Sequence, residues 1–352
     1  MSDAMTLFSQ ALEQLRLAAV NVPGLTDLAD APFLFRPLVM VVLLGVVAGV
    51  IGVIVNLRSA EFSAEAMVHA VFPGIVAGAV YWGIDAIIPA ASVVAVVAAL
   101  VLTIVSHRSR RGEASEAGTA VVLTSFFSIG LILSLAKGDM SGQLEALMFG
   151  RLLEVTDERL AQALIVCAVA LLLIMATWKE QVAYAFDRTG ARASGLRLLM
   201  LDLVLNTAIA AAVVSASTAV GILLVIGYLV IPGATARILA SRVRTMVLVA
   251  IAVGVGGGYL GMLLMALPET LDKPISPQAT VALVMTGILL LAVCVAAVRE
   301  RLRRPARRAR SAQPATAVST STTASADATV DRAGGPEGSA SAVAPMAEGV
   351  RV

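Results

Sequence analysis

The sequence predicts an all-α membrane protein, a polytopic bundle of about nine transmembrane helices, and three observations predict it. Of the 352 residues, 59% are apolar and only 14% charged, against about 25% charged in an ordinary soluble domain. The charge is also displaced toward the end of the chain, because residues 299–352 carry nine basic and five acidic groups out of 50. The remaining 36 charges separate long apolar runs, and aromatic residues are only 4% of the chain. A water-soluble enzyme is excluded by the first observation. A nucleic-acid surface is excluded by the last two, since the basic residues sit between apolar runs with no aromatic interleaving.

Taken in order, residues 3–20 (DAMTLFSQALEQLRLAAV) place apolar residues at helical spacing, the pattern of an amphipathic helix lying on the outer surface. With no basic start, and with Asp3, Gln10, Glu13, Gln14 and Arg16, the stretch is not expected to be a cleavable signal peptide. Nine stretches then approach the roughly 20 apolar residues a helical span needs. They lie near 33–56, 66–83, 86–106, 117–136, 160–177, 198–214, 219–237, 245–267 and 278–298. The second and sixth are the shortest, which leaves eight as the alternative count.

Basic residues set the direction of insertion. The connections after spans 1, 3, 5, 7 and 9 hold Arg58; Arg108, Arg110 and Arg111; Lys179, Arg188, Arg192 and Arg197; Arg237, Arg242 and Arg244; and the arginines of 299–310. The opposite side holds Arg16, Arg36, Lys137, Arg151, Arg159 and Lys273 among acids such as Asp139, Glu145, Asp157, Glu158, Glu269 and Asp272. The expected topology is therefore N-terminus out and C-terminus cytoplasmic, in the plasma (inner) membrane. The domain reading is a segment 1–32 outside, a transmembrane domain 33–298, a basic juxtamembrane segment 299–310 against anionic lipid, and a disordered cytoplasmic tail 311–352 rich in Ser, Thr, Ala, Pro and Gly.

Ionisable groups inside a span cost roughly 2.5 to 3.5 kcal/mol each, so they mark function. His69 is one of two histidines, and Glu65 stands four residues before it. That spacing puts carboxylate and imidazole on one helix face, one turn apart, where both can ligate a first-row metal ion. The bland alternative places Glu65 at the headgroups and lets His69 satisfy a backbone carbonyl across the bundle. Pro73 and Gly74 follow and are expected to soften or break the helix. His107, before RSRR, reads as interfacial, and Asp202 with Asn206 reads as a helix-to-helix contact. Ser215, Ser217 and Thr218 read as a turn, and Gly254, Gly256, Gly257, Gly258 and Gly261 as a surface for close helix approach. Cys167 and Cys294 sit in apolar runs as small hydrophobes, with no CxxC and no disulfide framework.

These residues gather into a known pattern. The run PFLFRPLVMVVLLGVVAGVIGVIVNLRSAEFSAEAMVHAVFPGIVAG resembles the opening of the zinc, manganese and iron permeases of ABC importers, the family often called ABC-3. EAGTAVVLTSFFSIGLIL (116–133), LMFGRLLEVT (147–156), DRTGARASGLRLLMLD (187–202) and VGILLVIGYLVIPGATARILA (220–240) resemble its later motifs in the same order, so the likeness runs from about residue 32 to 297.

The resemblance implies a type II importer-like bundle that dimerises with a second permease copy, docks a cytoplasmic ABC ATPase and receives metal from an extracytoplasmic binding protein. It implies zinc as the first expectation for the cargo, with manganese or iron as alternatives, and no permanently bound cofactor. His69 matches the family's metal-site histidine, and Glu65 stands where the family has Asp, which lengthens the ligand by a methylene. Arg188, Ala191, Arg192, Gly195 and Leu196 fall on the loop that, by likeness, contacts the ATPase. Pro232 is expected to break span 7 above the cytoplasmic face. The absence of a G-x-x-x-x-G-K-[ST] loop assigns ATP hydrolysis to another polypeptide and makes this chain a non-catalytic subunit. The competing readings are a permease for cobalamin or iron chelates, for which the aromatic content is low, and a secondary transporter driven by an ion gradient.

Overall fold

The computed structural model describes residues 2–108, 112–136, 150, 152–217, 220–266 and 276–311, and among these residues there is no strand. Of the segments read above, 312–352 of the tail, Arg110, Arg111, Thr218 and the outer-loop residues Lys137, Asp139, Glu145, Arg151, Glu269, Asp272 and Lys273 lie outside the described residues, as does the start of LMFGRLLEVT. The chain divides into residues 1–301 and 302–352. The first unit holds the helical bundle, and the described part of the second is the last turns of the final helix.

The helices are α1 Ser2–Val20, α2 Thr26–Asp30, α3 Pro32–Leu57, α4 Glu61–Ala77, α5 Ile87–Arg108, α6 Gly112–Leu135, α7 Asp157–Ala176, α8 Trp178–Phe186, α9 Arg188–Ala193, α10 Leu198–Ser217, α11 Ile222–Leu239, α12 Val243–Ala266 and α13 Pro277–Ser311. Eight stretches are long and apolar enough to cross a membrane, and a ninth, Leu224–Leu239, is shorter. The nine expected spans are therefore all helical, but the short one is the seventh and not the second or sixth. Polar Glu61, Ser63 and Glu65 disguise the first turns of α4, which begins at Glu61, and a π-helical stretch, Gly78–Trp82, extends its far end. The sixth gains three residues, reaching Ser217.

A helix that is apolar all round belongs in the middle of a bundle, and α3 is that helix. In its most apolar window 78% of residues are buried, against 17% in α13. α3 packs against α11 and α12, while α4 packs between α5 and α6, and α10 against α5 and α7. The outermost helices turn Leu283, Leu290 and Leu291 (α13), Ile165 and Leu172 (α7), and Ile129 and Ile132 (α6) outward. Such area is a liability in water and is the natural lipid-facing surface of a bundle.

Glycines set the closest helix approaches. A Cβ on Gly254 would stand 2.6 Å from the Gly45 carbonyl oxygen, and one on Gly261 would stand 2.5 Å from Val281 Cα, whereas one on Gly256 would meet nothing within 4 Å. The expected small-residue surface of the eighth span is thus used on both sides, by α3 and by α13. α1 is helical as expected and is tied down by Ser9, whose hydroxyl donates to Asp157 at 3.0 Å. Arg36 holds the same carboxylate with two bonds, at 2.5 and 3.1 Å, and Arg159 bonds Asp85 at 3.2 Å.

Candidate metal site and the Arg58 polar cluster

Glu65 and His69 lie in the second and third turns of α4, both half-buried. The Nδ1 of His69 is 3.0 Å from the backbone carbonyl oxygen of Glu65, on its own helix and not across the bundle. A carbonyl can only accept, so Nδ1 carries the proton, and in the neutral ring Nε2 keeps its lone pair. His69 makes no other hydrogen bond among the described residues, which leaves Nε2 open for a ligand. The ring is also held by Phe127 of α6, edge to face with centroids 5.4 Å apart, and Phe127 leans in turn on Phe72 at 5.2 Å. α6 comes this close because Gly130 faces Phe72, where a Cβ would lie 2.5 Å from its ring.

The Glu65 carboxylate has no cationic partner among the described residues. Together the two side chains offer one hard oxygen donor and one imidazole nitrogen, a set suited to Mn²⁺, Fe²⁺ or Zn²⁺. Among the described residues no group of three or more His, Cys, Asp or Glu could hold an ion.

Pro73 and Pro232 do not break their helices. α4 runs through Pro73 to Ala77, and α11 runs through Pro232 to Leu239. Each proline removes one N–H, which leaves the carbonyl four residues back without its helical donor. At Pro73 that carbonyl belongs to His69. The winding changes later, where the Gly78 amide is shared between the Gly74 and Ile75 carbonyls. Near Pro232 the side-chain amide of Asn56 adds a donor to the Val230 carbonyl at 3.3 Å, and Arg237 donates to the Asn56 carbonyl at 2.6 Å, which holds α11 against α3. Gly74 serves packing, since a Cβ there would stand 2.8 Å from Ala91 Cα.

The expected ATPase-coupling residues divide. Arg188, Arg192 and Gly195 are exposed, whereas Ala191 is buried and Leu196 half-buried, packed with Tyr184, Leu198 and Leu201. Gly195 takes φ +81° as the helix stop, with the Leu196 amide returning to the Ala191 carbonyl at 3.1 Å. Asp187 caps α9 by accepting from the Thr189 and Gly190 amides at 3.0 and 2.9 Å, and those bonds hold its carboxyl below the usual carboxylate range.

Sequence reasoning missed the cluster around Arg58. Its guanidinium bonds Asp202 of α10, donates to Gln181 of α8 at 2.7 Å and lies 4.0 Å from the Tyr184 ring centroid. His107 stands 3.9 Å from the other oxygen of Asp202, so it faces an acid as well as the interface. Burial and the neighbouring Asp202 raise the Tyr184 hydroxyl above its ordinary pKa. Asn206 donates to Thr103 at 2.9 Å, the helix-to-helix bond expected of it. Arg58 counts in the sequence only as an inside marker, and its partners are 123 and 144 residues away. The one available signal was Asp202, an acid inside an apolar run.

Comparison with known proteins gives a family and a fold. The model of the ABC 3 transport family matches residues 30–296. A manganese transport system membrane protein, MntC of Listeria monocytogenes, is 33% identical over 68% of this chain and 83% of its own length. A chelated iron transport system membrane protein, YfeC of Yersinia pestis, is 32% identical over 60% of this chain and 70% of its own. Among solved structures, PsaBC from Streptococcus pneumoniae in complex with Fab shares the fold, with a TM-score of 0.65, 24% identity, and coverage of 76% of this chain and 94% of that one.

Proposed function

The chain belongs to the ABC 3 transport family, a family of multi-pass membrane permeases, and from that premise we propose that it carries a divalent transition-metal ion inward as the permease of an ATP-driven importer. The observation that carries the reading is the pair on α4, where the Glu65 carbonyl ties down His69 Nδ1 and leaves Nε2 open, one turn after a residue whose carboxylate has no cationic partner among the described residues. The relatives named above are called manganese and chelated iron proteins, and a carboxylate with an imidazole suits manganese or iron at least as well as zinc. Manganese therefore takes the first place that the sequence had given to zinc.

The other partners follow from the same premise. A cytoplasmic ABC ATPase docks on Arg188, Arg192 and Gly195, a binding protein delivers metal from outside, and a second copy of the chain completes the path. The basic ends of α5, α9 and α11 face the cytoplasm, with the N-terminus outside.

The test is uptake of radiolabelled Mn²⁺, with Zn²⁺ and Fe²⁺ as competitors, by cells that depend on this chain. Uptake is expected to be lost in His69→Ala and in Glu65→Ala at normal expression. Unchanged uptake in both variants overturns the assignment of the pair.

A further inference from the structure

Arg58 closes α3, and the chain then turns within three residues into α4, the helix of Glu65 and His69. The turn is tight. The Arg58 amide bonds the Ile54 carbonyl, the Ala60 amide bonds the Val55 carbonyl, both at 2.9 Å, and Ser59 between them has φ +51°, the only positive φ outside glycine among the described residues. Ser59 is exposed, and the two flanking backbone bonds hold it in that conformation. The residue before it, Arg58, has its side chain 9% exposed and fixed by Asp202, Gln181 and Tyr184. Gln181 is fully buried and returns its amide to the Leu201 carbonyl at 2.9 Å. The same Tyr184 ring lies 5.7 Å from the guanidinium of Arg188, the first residue of α9. Contacts thus run unbroken from exposed Arg188 through Tyr184 to Arg58, and from Arg58 along the backbone to Glu61, the first residue of α4.

We infer that Arg58 is a positioning residue that couples the segment 178–197 to the metal-bearing helix. A shift of Arg188 and Tyr184 under a docked ATPase moves the guanidinium, and the guanidinium moves the turn from which α4 springs. Lysine cannot replace it. An ammonium keeps the ion pair with Asp202 but lacks the planar fork that bonds Gln181 and stacks on the ring at the same time. A purely structural ion pair behaves differently, because exchanging both partners for apolar residues of similar size generally preserves or raises stability.

The inference rests on the proposed function, and its test separates the two. The chain with its ATPase subunit is placed in liposomes, Mn²⁺ is delivered by the binding protein, and metal uptake and ATP hydrolysis are measured together. In Arg58→Lys, and in Arg58→Met with Asp202→Leu, hydrolysis is expected to continue while Mn²⁺ moved per ATP falls roughly tenfold. Thermal unfolding of each variant reports folding independently. If uptake per ATP is unchanged in both variants, or if uptake and hydrolysis fall together in step with lost thermal stability, Arg58 is structural and the inference is overturned. If the wild type moves none of Mn²⁺, Fe²⁺ and Zn²⁺ on ATP addition, the proposed function fails and the inference with it.

Discussion

The carbonyl oxygen of Glu65 receives the Nδ1 proton of His69 at 3.0 Å, so the residue that offers a carboxylate also sets the tautomer of the imidazole one turn on. Backbone and side chain of one residue serve the site together. The arrangement does not depend on which acidic side chain occupies position 65, because any residue supplies the carbonyl.

Changing the acid therefore separates charge from length. Glu65→Gln removes the anion and is expected to abolish Mn²⁺ uptake, with the fold intact. Glu65→Asp keeps the anion and withdraws it by one methylene, so uptake survives with a changed order of Mn²⁺, Fe²⁺ and Zn²⁺ in competition assays. Equal uptake by wild type and Glu65→Gln would show that the carboxylate is not a ligand.

The two ends of the bundle differ in what their ion pairs are worth. Arg58 and Asp202 are 9% and 15% exposed, and Arg36 and Asp157 are 40% and 20% exposed. Removing one partner of a buried pair strands the other and costs about 3 to 5 kcal/mol, whereas a pair whose arginine is exposed is screened by solvent and contributes less. Asp202→Ala strands the more buried arginine and is thus expected to lower the unfolding temperature of the purified protein more than Asp157→Ala. Equal shifts would contradict the burial difference.

Glycine substitutions in α12 should split by neighbour. Gly254→Ala drives a methyl onto the Gly45 carbonyl and is expected to destabilise by about 1 to 3 kcal/mol, as overpacking does. Gly256→Ala meets nothing within 4 Å and should be neutral or stabilise by up to about 1 kcal/mol through helix propensity. Thermal unfolding of the two variants side by side reads the sign directly.

The cap of α9 carries a pH dependence. The carboxyl of Asp187 is held below its ordinary pKa by the Gly190 and Thr189 amides and the Thr189 hydroxyl. A depressed value in the folded state means the cap's contribution is complete above the usual carboxylate range and is lost as pH falls through the lower folded value. Hydrogen exchange at the Gly190 amide is expected to be protected at neutral pH and faster in Asp187→Ala. Identical exchange in the two proteins would contradict the cap.

Much of this molecule could be read from its chain because the bilayer imposes a coarse rule. Long apolar runs become helices, and Glu65 with His69 is conspicuous against them because i to i+4 spacing is local. What could not be read is non-local or cooperative. Arg58 meets Asp202 only after the six helices α4 to α9 have been folded between them. Pro73 and Pro232 look like breaks because the local rule counts one lost hydrogen bond. Packing by α5, α6 and α3 outweighs that loss. Ala191 and Leu196 look exposed in a basic, glycine-containing loop, yet they pack with Tyr184, and of the five expected coupling residues Arg188, Arg192 and Gly195 face outward.

The central claim is that His69 Nε2 ligates the transported ion, and pulsed EPR of Mn²⁺ added to the purified protein tests it most directly. The account predicts a nitrogen coupling from a directly bound imidazole, present in the wild type and absent in His69→Ala. The same coupling in both proteins, or bound Mn²⁺ with no nitrogen coupling in the wild type, would contradict it.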